Sequence, residues 1–408
     1  MTRIRVARTL FVPAVIALFV QPAGQAMADA VTDWNVIAIN ATAVPPNSIL
    51  QSRVLAIAHG AIYDAANAVS QQGAAYAVDL KAPAGTSLDA AVAAAAHGVL
   101  VRLAPMQKPT LDAALNAGLS KITDGEGKTD GIRIGSQVAE RLVALRSSDR
   151  ADAKAIFTAQ AGPGFYQPTP PHSMAPILPQ WGGVAPFILR SRDGLEFRGP
   201  PSVGSAEFAR DLDEVRSLGA HNSPTRTADQ TAAAIFWTVQ TAVPWHAAAR
   251  AASAAKNLST AENAKLFAIL SMATADSQIV GFEEKYRRPH WRPITAIRAA
   301  ANGDPTWEPL LVTPPHPDYP SAHAIFSGAA EAVLRAFFGG DEVTVSVTYP
   351  GPFGITRRYG KFSEITEEVD NARVWGGIHF RSADKDGSEI GRKIGTIAVR
   401  DFPKPQTN

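Results

Sequence analysis

The chain has 408 residues, 46% of them hydrophobic, with 39 basic against 37 acidic side chains and no cysteine. That balance excludes a strongly basic nucleic-acid-binding protein, and the missing thiols exclude disulfides, thiol catalysis and thiolate metal sites. The apolar fraction suffices for a sizeable core, while length alone leaves one or two domains open.

Residues 1–28 read as a secretory signal peptide. Arg3, Arg5 and Arg8 precede an apolar run over 10–20, and Ala26-Met27-Ala28 forms a small-x-small cleavage site. The run is too short to cross a bilayer, so no stable membrane span is expected, with a membrane anchor as the weaker alternative. No twin arginine stands ahead of it, which favours the general secretory route and a periplasmic or secreted location. The mature part, 29–408, carries 36 basic and 37 acidic residues. It is expected to form a single domain.

Helical patterns dominate that part. The stretch 48–69 places Leu50, Val54, Ile57, Ala61, Ala65 and Ala68 on one stripe. Its Arg53, His59, Tyr63, Asp64 and Asn67 read as surface or hydrogen-bonded core positions. Further helices are expected over 89–103, 110–122 and 131–145, with Asp124-Gly125-Glu126-Gly127 as a turn. From 162 to 201, prolines at 163, 168, 170, 171, 176, 179, 186, 200 and 201 forbid helix and central strand. Phe165, Tyr166, Trp181 and Phe187 make this long segment an ordered cover or, alternatively, a boundary between domains. Capping boxes at Thr227/Gln230 and Ser259/Glu262 open helices over 228–242 and from 260 toward 282. Only 343–349 reads as a strand, and no repeat of 20 to 50 residues is visible, so the fold class is all-α.

Three pieces of chemistry follow the last capped helix. Lys285 is followed by Arg292-Pro293; then comes Pro320-Ser321-Ala322-His323; then Arg373, with His379 six residues later. Three long cations, a hydroxyl and two imidazoles are what is needed to hold an oxyanion and move protons around it. Each has a bland reading too: cations satisfy helix ends, Ser321 caps the helix after it, and a lone histidine packs in a core.

Taken together, the pieces resemble the three-part signature of the vanadium-dependent haloperoxidase and type 2 phosphatidic acid phosphatase (PAP2) superfamily. That signature is Lys, six residues, Arg-Pro; Pro-Ser-Gly-His; and Ser-Arg, five residues, His, three residues, Asp. Trp34-Asn35, the stretch from Arg53 to Asn67, the proline-rich cover and Phe236-Trp237 also resemble the exported bacterial haloperoxidase-like branch. The resemblance implies an all-helical fold of two helical bundles, with the signature in 285–384 and vanadate or phosphate in one pocket. It implies that Lys285, Arg292, Ser321, the Ala322 N–H and Arg373 hold the oxyanion. His379 would be the vanadate ligand in a peroxidase or the nucleophile in a phosphatase, and His323 the acid-base group.

Three positions depart from the signature. Ala322 replaces glycine, Ala372 replaces the serine before Arg373, and Ala383 stands where the final acid belongs, with Asp384 and Asp386 nearby. On a helix an offset of four faces the histidine and five does not, so the displaced acid counts against a phosphatase unless a bulge restores Asp384. His316, five residues before Ser321, occupies a position that is Phe in similar chloride oxidisers and His in bromide oxidisers. With Phe282 it is the candidate halide pocket. Glu283, Asp276 and Asp64 are candidates to pair with the arginines. The expected partners are hydrogen peroxide with a halide, bromide or iodide favoured, or a phosphate ester, and a second copy of the chain is left open. A non-catalytic oxyanion binder is the third reading.

Overall fold

The computed structural model describes residues 29–44, 47–349 and 354–403; the expected signal peptide lies outside the described residues. Thirteen α-helices and one two-stranded sheet are present among them. The first group comprises α1 (Ala30–Ala41), α2 (Ser48–Ser70), α3 (Leu88–Leu103), α4 (Lys108–Leu119) and α5 (Glu126–Arg146). After the cover come α6 (Ala206–Leu218), α7 (Ala228–Phe236), α8 (Ala242–Lys256), α9 (Thr260–Arg287), α10 (Pro293–Ala299) and α11 (Ala322–Phe338). The chain closes with β1 (Glu342–Thr348), β2 (Thr356–Lys361), α12 (Phe362–Trp375) and α13 (Arg381–Asp401). No single described helix is long and apolar enough to cross a membrane.

Local chemistry sets the boundaries. Both expected capping boxes are formed, at Thr227 and at Ser259. The helix expected over 228–242 is instead two, because the chain turns after Phe236 and α8 restarts with Pro244 in its first turn, where proline is tolerated. The stripe on α2 is broader than its periodicity suggests: His59, Asp64 and Asn67 are buried while Leu50 is 42% exposed. The strand expected over 343–349 is β1, and its antiparallel partner β2 went unread, since Thr-Arg-Arg-Tyr-Gly-Lys buries only Tyr359.

Two helical bundles face each other across α2 and α9, and they are built alike. In the first, α3 packs on α5; in the second, α11 packs on α13. Ser87 caps α3 and its N–H donates to the Gly127 carbonyl; Ser321 caps α11 and its N–H donates to the Ala383 carbonyl. Gly135 seats on the Ala91 carbonyl and Gly391 on the Ile325 carbonyl, and in each case an added Cβ would sit 2.2 Å from that oxygen. The chain thus contains an internal duplication longer than the repeats sought in the sequence. Only the second copy carries the signature: Asp89 stands where His323 stands in the other bundle.

The duplication extends to how loops are held. Asp64 on α2 accepts the N–H groups of Tyr76, Ala77 and Val78 at 2.6–2.9 Å. Asp276 on α9 does the same for Phe187, Ile188 and Leu189 at 2.6–2.9 Å. The proline-rich segment is therefore an ordered cover, with Tyr166, Trp181, Phe187 and Ile188 buried. Neither acid pairs with an arginine of the signature, and Glu283 pairs with Arg192 at 2.7 Å. Asp276→Ala would remove the acceptor that three buried N–H groups share. We expect a loss of about 3–5 kcal/mol in denaturant unfolding, and a cost below 1 kcal/mol would show that the clamp carries little.

Candidate functional site

One cavity of about 160 Å³ brings together four residues of the signature, Ala322, His323, Arg373 and His379. Its wall comprises Asn47, Ser48 and Ile49 at the start of α2, Ile177 of the cover, Thr241 ahead of α8 and Gln278 of α9. Pro314, His316, Ala322, His323, Arg373 and His379 complete it. The starts of α2, α8 and α11 all reach this wall, so the positive ends of three backbone dipoles meet there. The volume is room for about five waters at roughly 30 Å³ each, which suits a small oxyanion.

The cations stand in two layers. Arg373, in the last turn of α12, is on the wall; one of its terminal nitrogens donates to the Trp237 carbonyl at 2.8 Å, and its buried Nε has no hydrogen-bond partner. Lys285 and Arg292 lie fully buried behind it. Lys285 Nζ donates to the Pro317 and Asp318 carbonyls at 2.8 and 2.9 Å. Arg292 donates to the carbonyls of His316 (2.8 Å), Ile378 (2.6 Å) and Pro314 (3.3 Å), tying the loop before α11 to the loop before α13. Burial pushes all three below their ordinary values, Arg373 to about 10, and for Lys285 the neighbouring Arg292 charge adds to this. An incoming anion relieves that penalty for each.

The histidines are held in distinct ways. His323 stands on the wall with Nε2 buried and unpartnered, and burial, then Arg373 and His379, hold it well below 6.5, offset in part by the Val239 carbonyl. His316 receives a hydrogen bond on Nδ1 from Arg292 at 3.0 Å and lies 5.3 Å from the Phe282 ring, which is itself fully buried. His379 is backed on Nδ1 by the Asp318 carboxylate at 2.9 Å, while one terminal Arg292 nitrogen lies over the ring, 3.1 Å from Nε2 and 3.5 Å from Nδ1. Burial and Arg292 hold its imidazole neutral, against the pull of Asp318. Burial alone would raise Asp318, but His290, His379 and Arg292 hold its carboxyl below the usual range.

Asp318 is the residue that sequence reading passed over, although it sits only two residues after His316. The acid that reading sought, four or five residues after His379, is not the one in contact. His379 precedes α13, whose first residue is Arg381, so helical offsets do not apply to it. Asp384 is fully buried, and burial and Asp370 raise it well above its ordinary value; Ser321 lies close enough to oppose this, yet neither carboxylate oxygen has a hydrogen bond of ordinary geometry. Asp386 meets Arg198 at 3.5 Å. Ser321 is buried and caps α11 through a long 3.5 Å contact from the Ala324 N–H. Ala322 begins that helix without positive φ, so glycine is not required there.

The donor set fits a bound oxyanion such as vanadate. Two buried unpartnered nitrogens, on Arg373 and His323, belong to cavity-wall residues, and a neutral imidazole shares that wall. Among the described residues no group of three His, Cys, Asp or Glu forms a metal cage, and an oxyanion held by cations with one imidazole needs none.

Comparison with known proteins finds similarity in the second bundle and in the fold. Residues 265–405 match the family described as the VCPO second helical-bundle domain. The vanadium chloroperoxidase of Curvularia inaequalis is 32% identical over 96 residues, which is 20% of this chain and 16% of that protein. A solved bacterial vanadium-dependent iodoperoxidase is 26% identical with a TM-score of 0.80, covering 91% of this chain and 95% of its own. An apo bacterial vanadium-dependent chloroperoxidase has the same fold at 18% identity, with a TM-score of 0.72 over 90% of this chain and 97% of its own. The match to the family model thus lies in the second bundle, and over nine-tenths of the chain the fold is similar to that of solved vanadium-dependent haloperoxidases.

Proposed function

We propose that the protein is a vanadium-dependent haloperoxidase that oxidises iodide or bromide with hydrogen peroxide. The observation that carries this reading is His379: a neutral imidazole on the cavity wall, backed on Nδ1, with Nε2 available as a ligand to vanadate. Bound vanadate would supply Lewis-acid activation of peroxide. Arg373 on the wall, with Lys285 and Arg292 behind it, would neutralise the oxyanion's charge. His323 holds an open Nε2 in the cavity to exchange protons, and the negative charge of a bound oxyanion raises its basicity toward a useful range. The net reaction, halide plus hydrogen peroxide plus a proton giving hypohalous acid and water, consumes one proton. His316 beside Phe282 places a polar ring at the wall, and the likeness to an iodoperoxidase supports a soft, easily oxidised halide.

One observation favours a second reading, hydrolysis of phosphate monoesters through a phosphohistidine. Asp318 provides a histidine nucleophile with the carboxylate that the displaced signature acid lacks. Iodide and bromide oxidation after vanadate loading, set against hydrolysis of a chromogenic phosphate ester by the vanadate-free protein, separates the two; failure of both would leave an oxyanion binder. For His323→Ala we expect vanadate affinity to change only a few-fold while halide oxidation falls at least about 100-fold. Unchanged turnover would remove His323 from proton transfer.

A further inference from the structure

We infer that Asp318 is the positioning residue of this site, a carboxylate delivered by the loop ahead of α11 that fixes which nitrogen of His379 faces the oxyanion. The inference rests on reading His379 as the ligand, and its tautomer can be argued without that reading. The Arg292 terminal nitrogen, 3.1 Å from Nε2 and 3.5 Å from Nδ1, sits over the ring and leaves the in-plane Nε2 lone pair open, whereas an ionised carboxylate can only accept. The proton then belongs on Nδ1, where Asp318 Oδ1 takes it at 2.9 Å. The same oxygen lies 3.4 Å from the Phe380 N–H, so one carboxylate addresses both the ring and the backbone next to it.

The carboxylate is held independently of His379. The Asp318 N–H donates to the His290 carbonyl at 3.0 Å, and its own carbonyl accepts from Lys285 Nζ at 2.9 Å. Loop placement therefore does not depend on the side chain. The second carboxylate oxygen has no hydrogen-bond partner and faces His290 Nδ1 at 3.6 Å, too long for a bond. Its principal contact is thus the one with His379. Asp384 is no rival, since its oxygens reach neither ring nitrogen.

The test uses Asp318→Asn, nearly isosteric and still an acceptor for Nδ1–H, together with Asp318→Ala. Nitrogen NMR of the vanadate-free protein, assigned with His379→Gln, reads the tautomer, and calorimetric titration with orthovanadate reads affinity. Wild type is expected to show Nδ1–H. Asp318→Ala should lose that preference and bind vanadate about 10–100-fold more weakly, with Asp318→Asn between the two. An Nε2–H tautomer in wild type, or an alanine variant that keeps both tautomer and affinity within two-fold, would overturn the inference. Should wild type fail to bind vanadate while its tautomer still depends on Asp318, the haloperoxidase reading fails and the positioning role stands.

Discussion

His379→Ala is expected to abolish stoichiometric vanadate binding and, with it, halide oxidation. Of the three imidazoles on the cavity wall, His379 is the one backed by a carboxylate among the described residues, and that support makes Nε2 a better donor to a metal. Arg373, Lys285 and Arg292 would still attract an anion, so residual binding should be weak and salt-sensitive. Removing the ring also leaves Asp318 without its close donor, so some stability is lost as well, on the order of 1–3 kcal/mol. Titration with orthovanadate at low ionic strength, alongside thermal unfolding, separates the two effects. A folded variant that still binds one equivalent with wild-type affinity would sink the ligand assignment.

The reach of the sequence at this site follows from how each contact is made. Lys285, Arg292, His323, Arg373 and His379 were legible because their spacings place cations and imidazoles along one stretch of chain. Their layering was not. Whether an arginine meets an anion or a row of carbonyls depends on loops that come together only in the fold, as Arg292 does with residues 314, 316 and 378. The acid behind His379 was missed for a related reason. An offset along a helix was the only local rule to apply, whereas the partner lies 61 residues earlier.

In the fold, α2 to α5, α7, α9 and α11 were readable from periodicity or caps, and α1, α6, α8, α10, α12 and α13 were not recognised as such. α13 is amphipathic, but its glycines at 387, 391 and 395 read locally as helix weakeners when they are contact points for α11. The duplication escaped notice because it survives in backbone contacts, a capping serine and carbonyls seated on glycine, while the side chains around them have diverged. Asp276 shows the same logic: an acid on an apolar helix suggested an ion pair, and three backbone N–H groups took it instead, whereas Asp64 is the hydrogen-bonded core residue that one of its two readings expected.

Acid should weaken the first bundle through a buried pair of histidines distant in sequence from the signature. Asn35 Nδ2 bridges His59 Nε2 at 2.9 Å and His246 Nδ1 at 2.7 Å, while Arg250 donates to the Asn35 carbonyl oxygen. Both rings stack on Phe267, and both are fully buried. Because the Asn35 amide donates to each, both are neutral, and burial followed by the Arg250 charge lowers His59 from 6.5 to about 3. His246 is lowered in the same sense by burial, then by His59 and Arg250. The sign follows directly: the unfolded chain takes up protons that the folded one refuses, so the stability is fully present above pH 6.5 and is lost as pH falls toward 3. For His59 the full effect is roughly 5 kcal/mol, with about 2 kcal/mol gone by pH 5. Asp64 and Asp370, which burial pushes up to about 6 and about 7, work in the opposite direction. A double variant therefore gives the cleaner measurement. His59→Gln with His246→Gln should be less stable than wild type at pH 7.5 and should lose less stability between pH 7 and pH 5, by about 2 kcal/mol or more. Equal losses in the two proteins would place the acid sensitivity elsewhere, in the histidines of the cavity.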